Sequence, residues 1–154
     1  MTKPRVAMVP LARPGGSLAL VKARRRAALA VLDRLDVELA GPRGLLLDAA
    51  GMMRAARSLA AFQPEQLVFL QLTFTLPSPT VRLARAVGAP ALLWGFPGME
   101  EGSTSNSLRG VEAAAQAMAA LAMPCRILRL DPDDPRAAAI LGDMLLSPAE
   151  AAAS

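Results

Sequence analysis

Five short apolar runs alternate with five amphipathic helical patterns along the 154 residues of this chain. The clearest run, residues 67–72 (L-V-F-L-Q-L), is nearly all apolar, as is typical of a strand that helices cover on both faces. Strands that are separated by single helices pair in parallel, through right-handed crossover connections. The alternation therefore predicts a parallel sheet between two layers of helices.

The full pattern predicts a flavodoxin-like, doubly wound α/β fold: a five-stranded parallel sheet in the order 2-1-3-4-5, in three α/β/α layers. One domain covers residues 1–148, and an alanine-rich tail, residues 149–154, is expected to fray. Gly88 is predicted to end the third helix, and Ser17 and Asp134 are predicted N-caps. The predicted strands cover residues 5–10, 36–40, 67–72, 91–94 and 125–130, and the predicted helices cover residues 17–35, 49–61, 80–87 and 107–121 and the stretch that begins at Asp134.

The chain contains no histidine and a single cysteine, Cys125. Ser-His-Asp and Cys-His catalysis are therefore excluded, and zinc sites are disfavoured. Cys125 lies in an apolar segment, where we expect a buried, unreactive thiol. No apolar run reaches the roughly 18 residues of a membrane span, and no signal peptide is recognisable. A cytoplasmic protein is the expectation.

The net charge is +4, and the densest basic run is Lys22 with Arg24, Arg25 and Arg26. On a helix three successive arginines fan out around the axis, so they do not form one stripe that follows a phosphate backbone. We expect a solvated helix face and no nucleic-acid partner. The acidic loop at Asp131, Asp133 and Asp134 is better explained by helix capping than by a bound cation.

The loops that follow the strands lack the signatures of several common α/β sites. The stretch L-A-R-P-G-G-S after strand one is not G-x-G-x-x-G, and no G-K-S or G-K-T occurs. Gln71, Leu72 and Leu11 stand where a phospho-receiver needs acids. Ser17 and Trp94 give only weak evidence for a flavin-binding site.

One loop concentrates hydrogen-bonding side chains. Of the thirteen Ser and Thr residues in the chain, four lie within five positions, at Ser103, Thr104, Ser105 and Ser107, beside Asn106. One helix cap does not require four hydroxyls. Such a loop at a helix N-terminus suits a polyhydroxylated or weakly anionic ligand, and a solvated loop with a single cap is the alternative.

Four stretches in the same order and spacing, over roughly residues 5–130, resemble the N-terminal domain of the L-fucose isomerase and L-arabinose isomerase superfamily. They are V-P-L-A-R-P, L-Q-L-T-F, P-A-L-L-W-G-F-P and N-S-L-R-G. The resemblance implies a domain that packs against neighbouring subunits and helps to enclose a sugar site. It implies that Trp94 offers a ring face to the sugar and that Asn106 and Ser107 bond its hydroxyls. With Ser105 from the hydroxyl-rich loop, the expected binding residues are Arg13, Gln71, Thr73, Trp94, Ser105, Asn106, Ser107 and Arg109.

The resemblance also implies what is missing. In this superfamily the metal ligands and the acid/base groups belong to later domains, so Mn²⁺ is implied only for a complete enzyme. No cofactor or metal and no catalytic residue is expected in this chain, which should be inactive alone. The expected partners are a sugar or sugar phosphate and a second copy of the chain or a separate catalytic chain. The alternative is a stand-alone flavodoxin-like domain that binds a small molecule or has a regulatory role.

Overall fold

Strands and helices alternate strictly along the chain in the computed structural model, which describes residues 3–13, 18–45, 48–99 and 106–146. A single turn of 3-10 helix, Pro97–Met99, follows the fourth strand. The strands are β1 (Arg5–Leu11), β2 (Glu38–Ala40), β3 (Gln66–Gln71), β4 (Ala91–Gly95) and β5 (Cys125–Arg129). The helices are α1 (Leu18–Asp33), α2 (Ala49–Phe62), α3 (Pro77–Val87), α4 (Ser107–Ala120) and α5 (Ala137–Leu146).

All strand pairs are parallel, and the order across the sheet is β2-β1-β3-β4-β5. Helices cover both faces of this sheet. The fold is therefore the flavodoxin-like α/β fold that the alternation predicts, with the predicted strand order.

Two hydrophobic cores lie on opposite faces of the sheet, because successive side chains of a strand point to opposite faces. In β3, Val68 and Leu70 belong to the core under α1 and α5. Leu67 and Phe69 belong to the core under α2, α3 and α4. Every residue of β3 is buried, which explains why its sequence is nearly all apolar.

The structure places some helix boundaries at other residues than the sequence predicts. Gly88 ends α3 as predicted, with a left-handed φ of 79°. Helix α3 begins at Pro77, earlier than predicted, because proline is tolerated in the first turn of a helix. Asp134 makes the hydrogen bond expected of an N-cap, because its carboxylate accepts the backbone N–H of Arg136 at 2.8 Å, but the regular helix α5 begins later than predicted, at Ala137. The predicted cap Ser17 and the tail, residues 149–154, lie outside the described residues.

Among the helices that the structure describes, none combines the length and the apolar character that a membrane crossing requires.

Candidate functional site

The carboxyl ends of β1 and β3 flank the point where the strand order of the sheet reverses. Helix α1, which follows β1, packs on one face, and α3, which follows β3, packs on the other. The loops after these two strands therefore diverge and leave a crevice, which is where open α/β sheets bind ligands.

A cavity of about 210 Å³ at this edge is lined by two arginines, an amide and a ring. Arg13 follows β1, Phe74 follows β3, and Asn106 and Arg109 belong to the start of α4. We call it the basic cavity. It brings together three of the eight residues that the sequence proposes, although Arg13 and Arg109 are almost a hundred positions apart in the chain.

The polar groups of the basic cavity are available to a ligand. Arg13 and Arg109 are exposed, and neither forms an ion pair with a carboxylate among residues 3–13, 18–45, 48–99 and 106–146. Asn106 precedes α4 in the left-handed region, with φ 45°, and its side chain makes no capping hydrogen bond. Asparagine tolerates this conformation better than most residues. Its side-chain amide is not used to cap the helix.

Thr73 lies beneath the cavity and fixes its walls. Its hydroxyl accepts a hydrogen bond of 2.9 Å from the backbone N–H of Arg13 and donates one of 3.1 Å to the carbonyl oxygen of Phe74. The side chain is 5% exposed. Thr73 therefore ties the end of β1 to the loop after β3, and its hydroxyl is already used within the protein.

Ser107 has a structural role instead of the expected contact with a sugar hydroxyl. Its Oγ accepts a hydrogen bond of 2.9 Å from the N–H of Phe96 and donates one of 2.5 Å to the carbonyl oxygen of Gln71. The residue is fully buried. It joins the ends of β3 and β4 to the first turn of α4, and so it positions Asn106 and Arg109.

Gln71 is likewise a buried support, 1% exposed. Its Nε2 donates to the carbonyl oxygen of Thr73 at 2.8 Å and to Oγ1 of Thr75 at 2.9 Å, whereas its Oε1 has no partner in the described part of the chain. A Cβ at Gly110 would lie 2.8 Å from Nε2 of Gln71. Glycine at this position therefore lets α4 approach β3.

Trp94 does not reach the edge. The indole is fully buried in the core under α1 and α5, its ring centroid lies 5.2 Å from that of Phe96, and its Nε1 donates to the carbonyl oxygen of Leu130 at 2.7 Å. The expectation that Trp94 offers a ring face to a sugar is wrong for this arrangement. The pattern of the strand explains why: the side chain of Trp94 shares a face with Leu92, which also belongs to that core.

Ser105 and the other hydroxyls at positions 103 and 104 lie outside the described residues. The neighbours Asn106 and Ser107 do lie at the same edge as Arg13 and Gln71.

A second cavity, of about 450 Å³, adjoins the first and shares Arg13 and Phe74 with it. We call it the apolar cavity, because its lining surface is mostly apolar, with Leu11, Met52, Leu76 and Pro79 among the residues that form it. Sequence reasoning missed both this cavity and Phe74. The available signal for Phe74 is its position directly after strand three, in the stretch L-Q-L-T-F.

The acidic loop after β5 is closed by internal partners. Both carboxylate oxygens of Asp131 accept hydrogen bonds from the N–H of Gly98, at 2.9 and 3.0 Å. Asp133 lies 3.6 Å from Arg24, and Asp134 lies 2.9 Å from Arg136. The side-chain hydrogen bond from Arg136 holds the pKa of Asp134 below its usual range.

Metal and flavin chemistry find little support in these residues. No group of three or more potential metal ligands occurs within the described ranges. Burial raises the pKa of the half-buried Cys125 thiol, which makes it a poor nucleophile. Phe69, Trp94 and Phe96 are fully buried, so Phe74 is the aromatic ring that lines the described cavities at this edge.

No protein-family model and no curated protein matches the chain. Among solved structures, a flavodoxin from Pseudomonas aeruginosa that carries a cysteine-to-serine mutation is similar, with 17% identity over 96% of this chain and 97% of that chain and a TM-score of 0.44. A protein described as a LacI transcriptional regulator, from Bacteroides fragilis, matches with 13% identity over 96% of this chain and 67% of that chain and a TM-score of 0.40. Likenesses at this level carry no statement about ligand or activity.

Proposed function

We propose that this chain is a small-molecule-binding domain and that its ligand is a small organic anion, a phosphate or a carboxylate, held in the basic cavity. The observation that carries the proposal is the convergence of Arg13 and Arg109 on one cavity at the switch point of the sheet. Two guanidinium groups side by side repel each other unless an anion lies between them.

The chemistry of the cavity favours a phosphate or carboxylate over a neutral sugar. Guanidinium groups bind these anions with paired, charge-assisted hydrogen bonds. The amide of Asn106 both donates and accepts, so it suits a hydroxyl next to the anionic group. The volume, about 210 Å³, is below the roughly 300–1,000 Å³ of pockets for drug-sized ligands. An anionic group with a few carbon atoms attached fits this size.

The finer proposal is that the domain serves carbohydrate chemistry as the N-terminal domain of an L-fucose or L-arabinose isomerase does. It is supported by Arg13, Asn106 and Arg109, which the sequence resemblance assigns to the sugar-facing side and which line one cavity. Within this proposal the domain contributes binding and subunit packing, while a separate catalytic chain supplies the ligands of Mn²⁺ and the acid/base groups. The alternative proposal is a stand-alone regulatory domain that uses the same anion site.

The experiment is calorimetric titration of the purified chain with glucose 6-phosphate and with glucose. We expect the phosphate ester to bind and the neutral sugar to bind far more weakly. Arg13→Gln and Arg109→Gln should each lower the affinity for the phosphate ester by roughly tenfold or more, since a hydrogen bond to a charged group contributes about 1.5–3 kcal/mol. Arg57→Gln, at an exposed arginine of α2, is the matched control.

Equal affinity for glucose and its phosphate, or an equal loss in Arg57→Gln, would contradict the proposal.

Two further measurements address the finer proposal of a role in carbohydrate chemistry. Titration with L-fucose and L-arabinose in the presence of a Mn²⁺ salt should show no ketose formation by this chain alone. Light scattering at high concentration should show self-association if the domain packs between subunits. Addition of FMN should leave the absorption spectrum of FMN unchanged, and a tight yellow complex would instead favour a flavoprotein.

A further inference from the structure

The apolar cavity is more than twice as large as the basic cavity, at about 450 Å³ against about 210 Å³. Arg13 and Phe74 line both, so the two cavities adjoin each other at the edge of the sheet, and we call the pair the depression. A bare sugar phosphate in the basic cavity would leave the larger part of this depression unfilled.

The wall of the apolar cavity is unsuited to a polyhydroxylated group. Leu11 and Met52 are buried in its floor, with 2% and 6% exposure. Leu76 stands at its rim and is 70% exposed, the most exposed of the large apolar residues that the structure describes. An apolar wall gains from removal of apolar surface from water, whereas sugar hydroxyls placed against it would lose hydrogen bonds to water.

The charged residues that line the two cavities indicate which cavity favours an anion. Asp48 lines the apolar cavity, and its Oδ1 accepts a hydrogen bond of 2.7 Å from the N–H of Gly51 at the start of α2. This carboxylate disfavours an anion in the apolar cavity. Arg13 lines both cavities, and Arg109 adds a second positive charge in the basic cavity alone of the two, so the anion is favoured at that end.

We propose that the ligand is an amphipathic organic anion, in which a phosphate or carboxylate lies between Arg13 and Arg109 and an attached apolar ring or short alkyl group fills the cavity formed by Leu11, Met52 and Leu76. This inference rests on the proposed anion site and specifies which class of anion uses it. The apolar group contributes affinity by burial, and the two arginines contribute orientation and charge.

Leu76 allows a variant that separates ligand effects from folding. It occupies the N-cap position of α3 without making a capping bond, and serine is a preferred N-cap residue. Leu76→Ser therefore removes the apolar rim without destabilising the helix. Leu121→Ser is the control, because Leu121 is also exposed, at 49%, and lies at the opposite end of α4 from the cavity.

The experiment compares phenyl phosphate with methyl phosphate by calorimetry on the purified chain. We expect phenyl phosphate to bind roughly tenfold more tightly, and Leu76→Ser to remove most of this difference while Leu121→Ser keeps it. In methyl NMR spectra, phenyl phosphate should shift the signal of the Met52 methyl group, assigned through Met52→Leu, and methyl phosphate should leave it in place.

The outcomes distinguish this inference from the proposed function. Equal affinities for the two esters, both lost in Arg13→Gln and Arg109→Gln, would overturn the amphipathic ligand and leave the anion site standing. A difference between the esters that survives Leu76→Ser without a shift at Met52 would also overturn it. Failure of both esters to bind would refute the anion site itself, and the inference with it.

Discussion

The basic cavity and the acidic loop lie at the same edge of the sheet, yet they treat charge in opposite ways. Asp131, Asp133 and Asp134 each find a partner within the chain: a backbone N–H, Arg24 and Arg136 respectively. Arg13 and Arg109 line a cavity and find no carboxylate among the described residues.

This difference separates structural charges from charges that are available for binding. A carboxylate that already accepts hydrogen bonds stabilises its loop and has little left to offer a cation. An arginine that is positioned by buried residues, and that has no carboxylate partner within the described ranges, keeps its donors for a ligand. The composition alone does not distinguish the two cases, because it does not show which charged side chains find a partner in the folded chain.

Removal of the buried hydroxyl of Ser107, which supports the basic cavity, should have the largest effect on the free energy of unfolding. Ser107→Ala leaves the N–H of Phe96 and one lone pair of the carbonyl oxygen of Gln71 unsatisfied in a fully buried position. We expect a loss of about 3 kcal/mol in the free energy of unfolding, measured by urea denaturation. Ser58→Ala, on the exposed face of α2, is the control. Equal stability of the two variants would show that Ser107 is not a support.

Opening the acidic loop should have a smaller effect. Asp131→Ala removes the acceptor of the Gly98 N–H, which lies in a largely exposed loop. We expect a loss of about 1 kcal/mol, again by urea denaturation, with the exposed Asp143→Ala of α5 as the control. If Asp131→Ala had no effect, the acidic loop would not be closed by its internal partners in solution.

The arginines of the basic cavity should matter least for stability. Arg13→Gln and Arg109→Gln are expected to change the free energy of unfolding by less than about 0.5 kcal/mol in the absence of a ligand, because neither arginine forms an ion pair that the structure describes. With glucose 6-phosphate present, the wild type should gain thermal stability by mass action, and both variants should lose that gain. A large loss of stability without ligand would assign these arginines a structural role.

The smallest expected effect concerns the pKa of Asp134 in the acidic loop. The hydrogen bonds from Arg136 lower the pKa of Asp134 in the folded state, so the stability that this pair contributes is complete above the unfolded pKa of about 3.9. It is lost as the pH falls through the lower folded pKa. NMR titration of the carboxyl carbon should give a midpoint below the usual aspartate range. In Arg136→Gln the midpoint should rise, because the side-chain hydrogen bond is lost while the backbone bond remains, and an unchanged midpoint would contradict the assignment.

Much of the fold could be predicted from local patterns. Residues 67–72 read as a buried strand because every side chain there meets a helix layer, and Gly88 ends α3 because only a residue tolerant of positive φ continues the chain there. The start of α5 was less predictable. Asp134 accepts the N–H of Arg136 as a cap does, but a turn at residues 135–136 delays the regular helix to Ala137.

The candidate site was predictable only in part. The sequence predicts Arg13 and Asn106 on loops at one edge, the resemblance adds Arg109 in the first turn of the next helix, and the structure brings the three to one cavity. It did not distinguish them from Gln71, Thr73 and Ser107, which are equally polar and follow the same strands. Burial decides between the two groups, and burial at a loop depends on how closely a distant helix approaches.

The class of fold, and the strand order typical of it, followed from the alternation of apolar runs and helical patterns, and the lack of histidine excluded imidazole chemistry. Only the packed chain shows that Trp94 belongs to the core, that Ser107 is a support and that Arg13 and Arg109 line one cavity. The last two outcomes depend on the approach of α4 to the ends of β3 and β4, which Gly95 and Gly110 permit. Contacts between segments so far apart in the chain have no local signature, because their geometry is set by packing across the whole sheet.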